Sequence, residues 1–294
     1  MSGWRLRWKN GFLDATEGCL DGSSLSPHRL ASHSASEVAA MPFDTGGTTL
    51  PLGEVFSVEP LREGEEKTEA PEQETLVLDG STRLQRLGAG MTSGRLVIHG
   101  AGGNLLGAGA RGGVIQVHGD AGTLVGAGMR GGQLHVEGTV GDLLGGPPPG
   151  ARHGLAGGEI IVHGDAGSEV GHLQRRGLIA VAGCAGPLVG HEMRAGTIVV
   201  AAGDLVEPGV FMRRGSIIGL ASRPPAGDGY IREGRVQLLW LRLLRRRLVE
   251  LGLPLTDAQS RLLEEAAATT TPPPFEAWAG DTLALSRGEI IVPA

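Results

Sequence analysis

The chain has 294 residues, 51 of them glycine, more than twice the usual share of about 7 %. With 40 % hydrophobic residues and no G-X-Y beat, neither a collagen helix nor a disordered polar chain fits. A net charge of −6, from 26 Lys+Arg against 32 Asp+Glu, argues against a nucleic-acid or membrane-surface protein held by overall charge, so any basic site must be local.

The opening Met1-Ser2-Gly3-Trp4 has no apolar leader, and no stretch approaches the about 18 uninterrupted apolar residues of a membrane span. Cys19 and Cys184 are too few for a disulfide framework, a four-cysteine zinc site or an iron–sulfur cluster. The expectation is a reduced, cytoplasmic protein. With 4 Trp, 1 Tyr and 5 Phe, the chain lacks the aromatic surfaces on which sugars or unpaired bases stack.

Residues 1–73 read as an N-terminal cap and acidic linker. Ser34-Ala35-Ser36-Glu37 has capping-box spacing before a short helix ending near Met41. Leu52 to Val58 predicts a strand, and the glutamate-rich stretch from Arg62 to Gln73 a solvated linker.

Residues 74–222 carry an internal repeat. The leading glycines Gly88, Gly107, Gly126, Gly145, Gly171, Gly190 and Gly209 are spaced 19, 19, 19, 26, 19 and 19, which gives seven coils with a seven-residue insertion in the fourth. Each coil holds a short alternating stretch, such as Arg95-Leu96-Val97-Ile98-His99 or Val114-Ile115-Gln116-Val117-His118. The pairs Leu96/Ile98, Ile115/Val117, Leu134/Val136, Ile160/Val162, Ile179/Val181 and Ile198/Val200 are expected to stack as aliphatic ladders. The 35 glycines between Gly88 and Gly215 exclude a helical solenoid at about 1 kcal/mol each. The fold class is therefore all-β: a right-handed parallel β-helix of about seven 19-residue coils, with a small α/β N-terminal flank and a helical C-terminal one.

Residues 223–294 read as a closing segment. Arg235 to Leu251 predicts a helix with Leu238, Leu241, Leu244, Leu248 and Leu251 on one face. A Thr/Pro tract from Thr269 to Pro274 then leads to a terminal strand, Gly288 to Val292. Caps at both ends are what a solenoid requires, since its last coils would otherwise expose unpaired backbone and apolar stack.

The spacing Gly100-x2-Gly103-x3-Gly107, repeated at Gly119/Gly122/Gly126, Gly138/Gly141/Gly145, Gly164/Gly167/Gly171 and Gly183/Gly186/Gly190, resembles the GXXGXXXG domain of glutamate synthases and of the C subunit of formylmethanofuran dehydrogenases. Leu52-Gly53-Glu54-Val55-Phe56, the basic Leu241 to Arg246 and the closing Gly280-Asp281 with Gly288-Glu289-Ile290 are similar to the C-subunit pattern. Against a glutamate synthase, position 2 is Ser2 instead of a nucleophilic cysteine, and the length leaves no room for a flavin domain.

The resemblance implies a noncatalytic scaffolding subunit. Its complex is the formyltransferase/hydrolase of methylotrophic bacteria, which passes formyl groups from tetrahydromethanopterin through a methanofuran-type carrier to formate, or else a molybdenum/tungsten formylmethanofuran dehydrogenase. An Arg-over-Lys, Ala- and Pro-rich composition favours the first. The implied partners are hydrolase-like A and B subunits and a formyltransferase D subunit, with no catalytic residue, metal or tightly held cofactor in this chain. Two other classes fit less well. An autonomous β-helix hydrolase or lyase lacks a carboxylate cluster, and a stand-alone structural solenoid fits poorly with the apolar outward face of coils five and six.

Candidate sites follow from residues at equivalent places in the coils. His99, His118 and His163, with Glu137 beside them, form an outward ladder that splays along the axis and reads as a polar strand face instead of a metal centre. Cys184, among glycines and without a histidine in its turn, is not a nucleophile. Leu178, Ala180 and Ala182, then Thr197, Val199 and Ala201, make an apolar outward face that either a partner or the chain's own flanks must cover. The insertion around Pro147-Pro148-Pro149, with Arg152 and His153, reads as a stiff projecting loop that meets another subunit. Arg111, Arg130, Arg175, Arg194 and Arg213 recur at one position, with Arg176 and Arg214 beside two of them, and predict an axial stripe. Such a stripe needs an anionic counterpart: either Glu169, Glu192, Glu207 or a partner's acidic surface, or the linked glutamates of the carrier tail that the family resemblance implies.

Overall fold

The computed structural model describes residues 3–15, 18–62, 74–227, 229–266, 272–281 and 287–294. Most of the acidic linker and residues 269–271 of the Thr/Pro tract lie outside them.

The N-terminal segment contains β1 (Gly3–Trp8), α1 (Phe12–Ala15), β2 (Leu20–Asp21), α2 (Pro27–Leu30), α3 (Ala35–Ala40), β3 (Pro42–Asp44), β4 (Thr49–Pro51), α4 (Leu52–Val55) and β5 (Phe56–Pro60). After β6 (Thr75–Asp79) and β7 (Leu84–Gln85), each repeat supplies one strand: β8 (Arg95–His99), β9 (Arg111–His118), β10 (Arg130–Val136), β11 (Gly157–Val162), β12 (Leu178–Val181), β13 (Thr197–Val200) and β14 (Arg214–Gly219). The chain closes with β15 (Ile231–Val236), α5 (Leu241–Glu250), α6 (Asp257–Glu265), β16 (Phe275–Ala279) and β17 (Arg287–Pro293).

The protein is mostly β. Its large sheet runs β15-β16-β17-β14-β13-β12-β11-β10-β9-β8-β6-β1-β5, and a small one runs β4-β3-β2-β7. Strands from β1 and β6 through β14 to β17 pair in parallel, while β5, β15 and β16 add antiparallel edges. In register, Leu76, Leu96, Ile115, Leu134, Ile160, Ile179, Ile198, Ile217 and Ile290 form one aliphatic ladder. All are buried, each contributing about 1.5–3 kcal/mol. A second line of parallel bridges joins Gly102, Ala121, Val140, Ala166 and Ala185.

The 19-residue beat is enforced at the corners. Arg86, Leu105, Leu124, Leu143, Glu169, Leu188 and Glu207, each two residues before a leading glycine, all adopt left-handed φ of 47–65°. A non-glycine residue there costs about 1–2 kcal/mol, offset because the turn aims each N–H along the axis. The amide of Leu105 donates to Thr123 O, that of Leu124 to Asp142 O and that of Glu169 to Pro187 O. Side chains reinforce the stacking: Asn104, Asp120, Asp142 and Asp165 accept from the amides of Thr123, Thr139, Ser168 and Cys184.

The flanks depart from the sequence expectations in three places. Leu52–Val55 is a helical turn, with Leu52 and Val55 buried three residues apart on one face, and only Phe56–Pro60 is extended. The C-terminal helix begins at Leu241 because Ile231–Val236 is drawn into antiparallel pairing with β16, where Arg232 pairs with Glu276. An unforeseen helix, α6, starts at Thr256, whose hydroxyl accepts from Gln259 N while the Gln259 side chain accepts from Thr256 N. At the other end the Ser34/Glu37 capping box forms as expected.

Candidate functional site

The arginine stripe follows directly from the stacking. The amides of Arg111, Arg130, Ala156, Arg175, Arg194 and Arg213 donate to Met91 O, Ala110 O, Met129 O, Leu155 O, Gln174 O and Met193 O at 2.7–2.8 Å. Equivalent residues of successive coils are thus held in line, with Ala156 standing where coil four lacks an arginine. Most of these side chains are exposed.

The prolines of the insertion predict a projecting loop, but its first part lies against the preceding coil. Pro148 packs over Gly128, where an added Cβ would lie 2.9 Å from Pro148 Cδ. This contact turns the loop back along the stacked strands and brings Arg152 and His153 beside Arg130 and Arg175. Two adjoining concavities result. One of about 240 Å³ is lined by Arg130, Pro148, Arg152, His153 and Arg175. The other, an open groove of about 520 Å³, is lined by Ala156, Arg175, Arg176, Arg194 and Ala195. Arg175 and Ala156 belong to both, so the surface is continuous.

The electrostatics there are one-sided. The His153 imidazole is held below its ordinary range first by burial, then by the Arg175 and Arg194 guanidinium groups. Among the described residues, none of Arg111, Arg130, Arg152, Arg175, Arg176, Arg194 and Arg213 forms an ion pair with a carboxylate. Glu169, one of the in-chain counterions weighed for the stripe, turns instead towards His172 and His191. An elongated cationic groove without internal counterions suits an extended polyanion with repeated carboxylates, which guanidinium groups bind two-pronged.

Leu178, Ala180 and Val199 are not available to a partner. They are buried, with Ile161, Ala201, Ile218 and Leu220, beneath Leu241, Leu248, Leu263 and Phe275 of the chain's own C-terminal segment. Of the two covers considered for this face, the flank is the one used. His99 and His118 stack with ring centroids 5.4 Å apart and 14° between planes, and His118 Nδ1 lies 2.8 Å from Glu137 Oε1. That ladder is a satisfied polar face. Cys184 is exposed, its amide bonded to Asp165. The sequence reading missed a different trio, Glu169, His172 and His191, whose ligand atoms all lie within 4.8 Å of one another. The available signal was the histidine one residue after Gly171 and again after Gly190.

No protein-family model and no curated protein matches the chain. Among solved structures, a chain of the formyltransferase/hydrolase complex from Methylorubrum extorquens, determined with methylofuran, superposes with a TM-score of 0.81 at 32 % identity, covering 99 % of each chain. The chain belongs to the family of formyltransferase/hydrolase complex subunits. Coverage of 99 % of each chain takes in both flanks, so the likeness extends beyond the repeat. Among the described residues no helix is long and apolar enough to cross a membrane.

Proposed function

We propose that this chain is the C-type subunit of a cytoplasmic formyltransferase/hydrolase complex, a right-handed parallel β-helix that scaffolds hydrolase-like A and B subunits and a formyltransferase D subunit without catalysing a step itself. The complex would convert formyl-tetrahydromethanopterin to formate through a methanofuran-type carrier. The observation that carries this reading is the end-to-end likeness, at 32 % identity, to a chain of a complex solved with methylofuran.

The role of the arginine stripe within that assembly is to hold or guide the polyglutamate tail of the carrier while its formyl-bearing end moves between active sites. Support comes from the run of Arg130, Arg152, Arg175, Arg176 and Arg194 along two continuous concavities, and from the lack of carboxylate partners for them among the described residues. Each carboxylate–guanidinium contact at a half-exposed surface contributes modestly, so several in line are needed to retain a tail.

The test is a complex carrying Arg130→Gln, Arg175→Gln and Arg194→Gln together. Assembly should remain intact, the apparent KM for the long-tailed carrier should rise at least tenfold, and a tail-less analogue should be turned over as before. Equal effects on both substrates, or loss of the complex, would assign the stripe to an acidic surface of a neighbouring subunit.

A further inference from the structure

We propose that Glu169, His172 and His191 form a binding site for one zinc-class divalent metal ion, bridging coils five and six. The site is separate from the arginine groove and does not depend on how the groove is used.

His172 and His191 each follow a leading glycine, and stacking brings their rings to a centroid distance of 4.8 Å with 43° between planes. At the same place the other coils have Ala89, Ala108, Ala127, Gly146 and Val210, so at this position imidazoles meet only between coils five and six. Glu169 takes the left-handed corner position that leucine fills at Leu105, Leu124, Leu143 and Leu188. The corner directs its carboxylate between the two rings. Its Oε2 lies 3.4 Å from His172 Nδ1 and 3.4 Å from His191 Nδ1.

Both distances are long for a hydrogen bond, although the contact between His191 Nδ1 and Glu169 Oε2 still forms one. A charge-assisted hydrogen bond would draw the atoms to about 2.7–2.9 Å, as Glu137 and His118 do at 2.8 Å. Tetrahedral ligands about 2.0–2.1 Å from zinc lie about 3.3 Å from one another, close to both carboxylate–imidazole separations, while the widest gap in the trio, up to 4.8 Å, closes as the ion binds. His172 Nδ1 is moreover a buried ring nitrogen without a hydrogen-bond partner, a desolvation that nothing in the protein offsets. Two imidazoles and one carboxylate suit zinc and its neighbours in the transition series better than calcium or magnesium. All three residues are part-exposed, and the half-exposed Phe211 lies beside His191. A fourth coordination position therefore faces the surface, open to water or to a donor from another molecule.

The experiment uses the full chain in its assembled complex, stripped with a chelator and reloaded. Metal analysis should find one zinc more per chain in the wild type than in complexes carrying His191→Ala or Glu169→Gln. Cobalt(II) should give tetrahedral visible bands that both variants lose. Glu169→Gln, nearly isosteric, guards against misfolding in the histidine variant and should weaken zinc binding at least tenfold with assembly unchanged. Equal zinc content in wild type and Glu169→Gln, or a wild type without cobalt bands, would overturn the site. The readout is metal content and spectrum, so it stands or falls apart from carrier binding and turnover.

Discussion

Arg247 on α5 grips Glu159 on β11 through two hydrogen bonds, Nε to Oε1 at 2.7 Å and Nη2 to Oε2 at 2.6 Å. The two residues are 88 positions apart in sequence, and their contact fastens the C-terminal helices over the outer face of the repeat strands. The pair is partly exposed, at 42 % and 21 % of the side chains, so solvent screening limits its contribution. Arg247→Leu should lower stability by about 1 kcal/mol, and a double-mutant cycle with Glu159→Gln in urea unfolding should return most of that as coupling. A coupling near zero would leave the helices held by apolar contacts alone.

Val199→Glu should be far more damaging. Val199 is fully buried between the sheet and the C-terminal helices, and a carboxylate there has no partner, so a loss of more than about 3 kcal/mol is expected. The first change should be release of α5 and α6, read as protease sensitivity near Leu253. A variant with wild-type melting would place the helices elsewhere in solution.

Two glycines of the repeat separate close approach from backbone conformation. At Gly131 an added Cβ would lie 2.4 Å from the Arg111 carbonyl oxygen, and Gly131→Ala should cost about 3 kcal/mol by forcing neighbouring coils apart. Gly109 has φ +67° and open space around its missing Cβ, so Gly109→Ala should cost only about 1 kcal/mol. Chemical denaturation of the two variants side by side gives the ordering.

Gln174 is buried in a column filled elsewhere by Met91, Ala110, Met129, Leu155, Met193 and Met212. Its Nε2 donates to Gly177 O at 3.0 Å, while its Oε1 has no partner. Since Gly177 O also accepts from Thr197 N, Gln174→Met removes an unsatisfied acceptor without orphaning the carbonyl. A gain of about 1 kcal/mol is expected, read as a higher Tm.

Acid should loosen the stack through His135. Burial, followed by the nearby His163 and then Arg95 and Arg247, lowers its affinity for protons, with only Glu159 opposing. The unfolded chain therefore binds a proton that the folded chain does not. Its contribution is fully present above the ordinary histidine value near about pH 6.5 and is lost as pH falls through the lower folded value. Melting at about pH 7.5 and about pH 5.5 should show a smaller drop for His135→Gln than for the wild type.

The sequence by itself determined the order and register of the stacked parallel strands. Its 19-residue beat of leading glycines and aliphatic pairs leaves one register in which Leu96 meets Ile115 and Ile115 meets Leu134, because a slip of one residue would turn every aliphatic outward. The same beat made the arginine stripe legible, since equivalent positions must stack. Contacts between segments without a shared period were decided only by the tertiary structure. Nothing in the sequence tied Arg247 to Glu159, laid Leu241 and Leu248 over Val199, or folded the proline loop back so that Arg152 and His153 joined Arg175. Nor could it show that Glu169 sits 3.4 Å from two imidazoles. That depends on a left-handed corner whose direction is fixed by hydrogen bonds to the next coil, and local residue preferences carry no record of it.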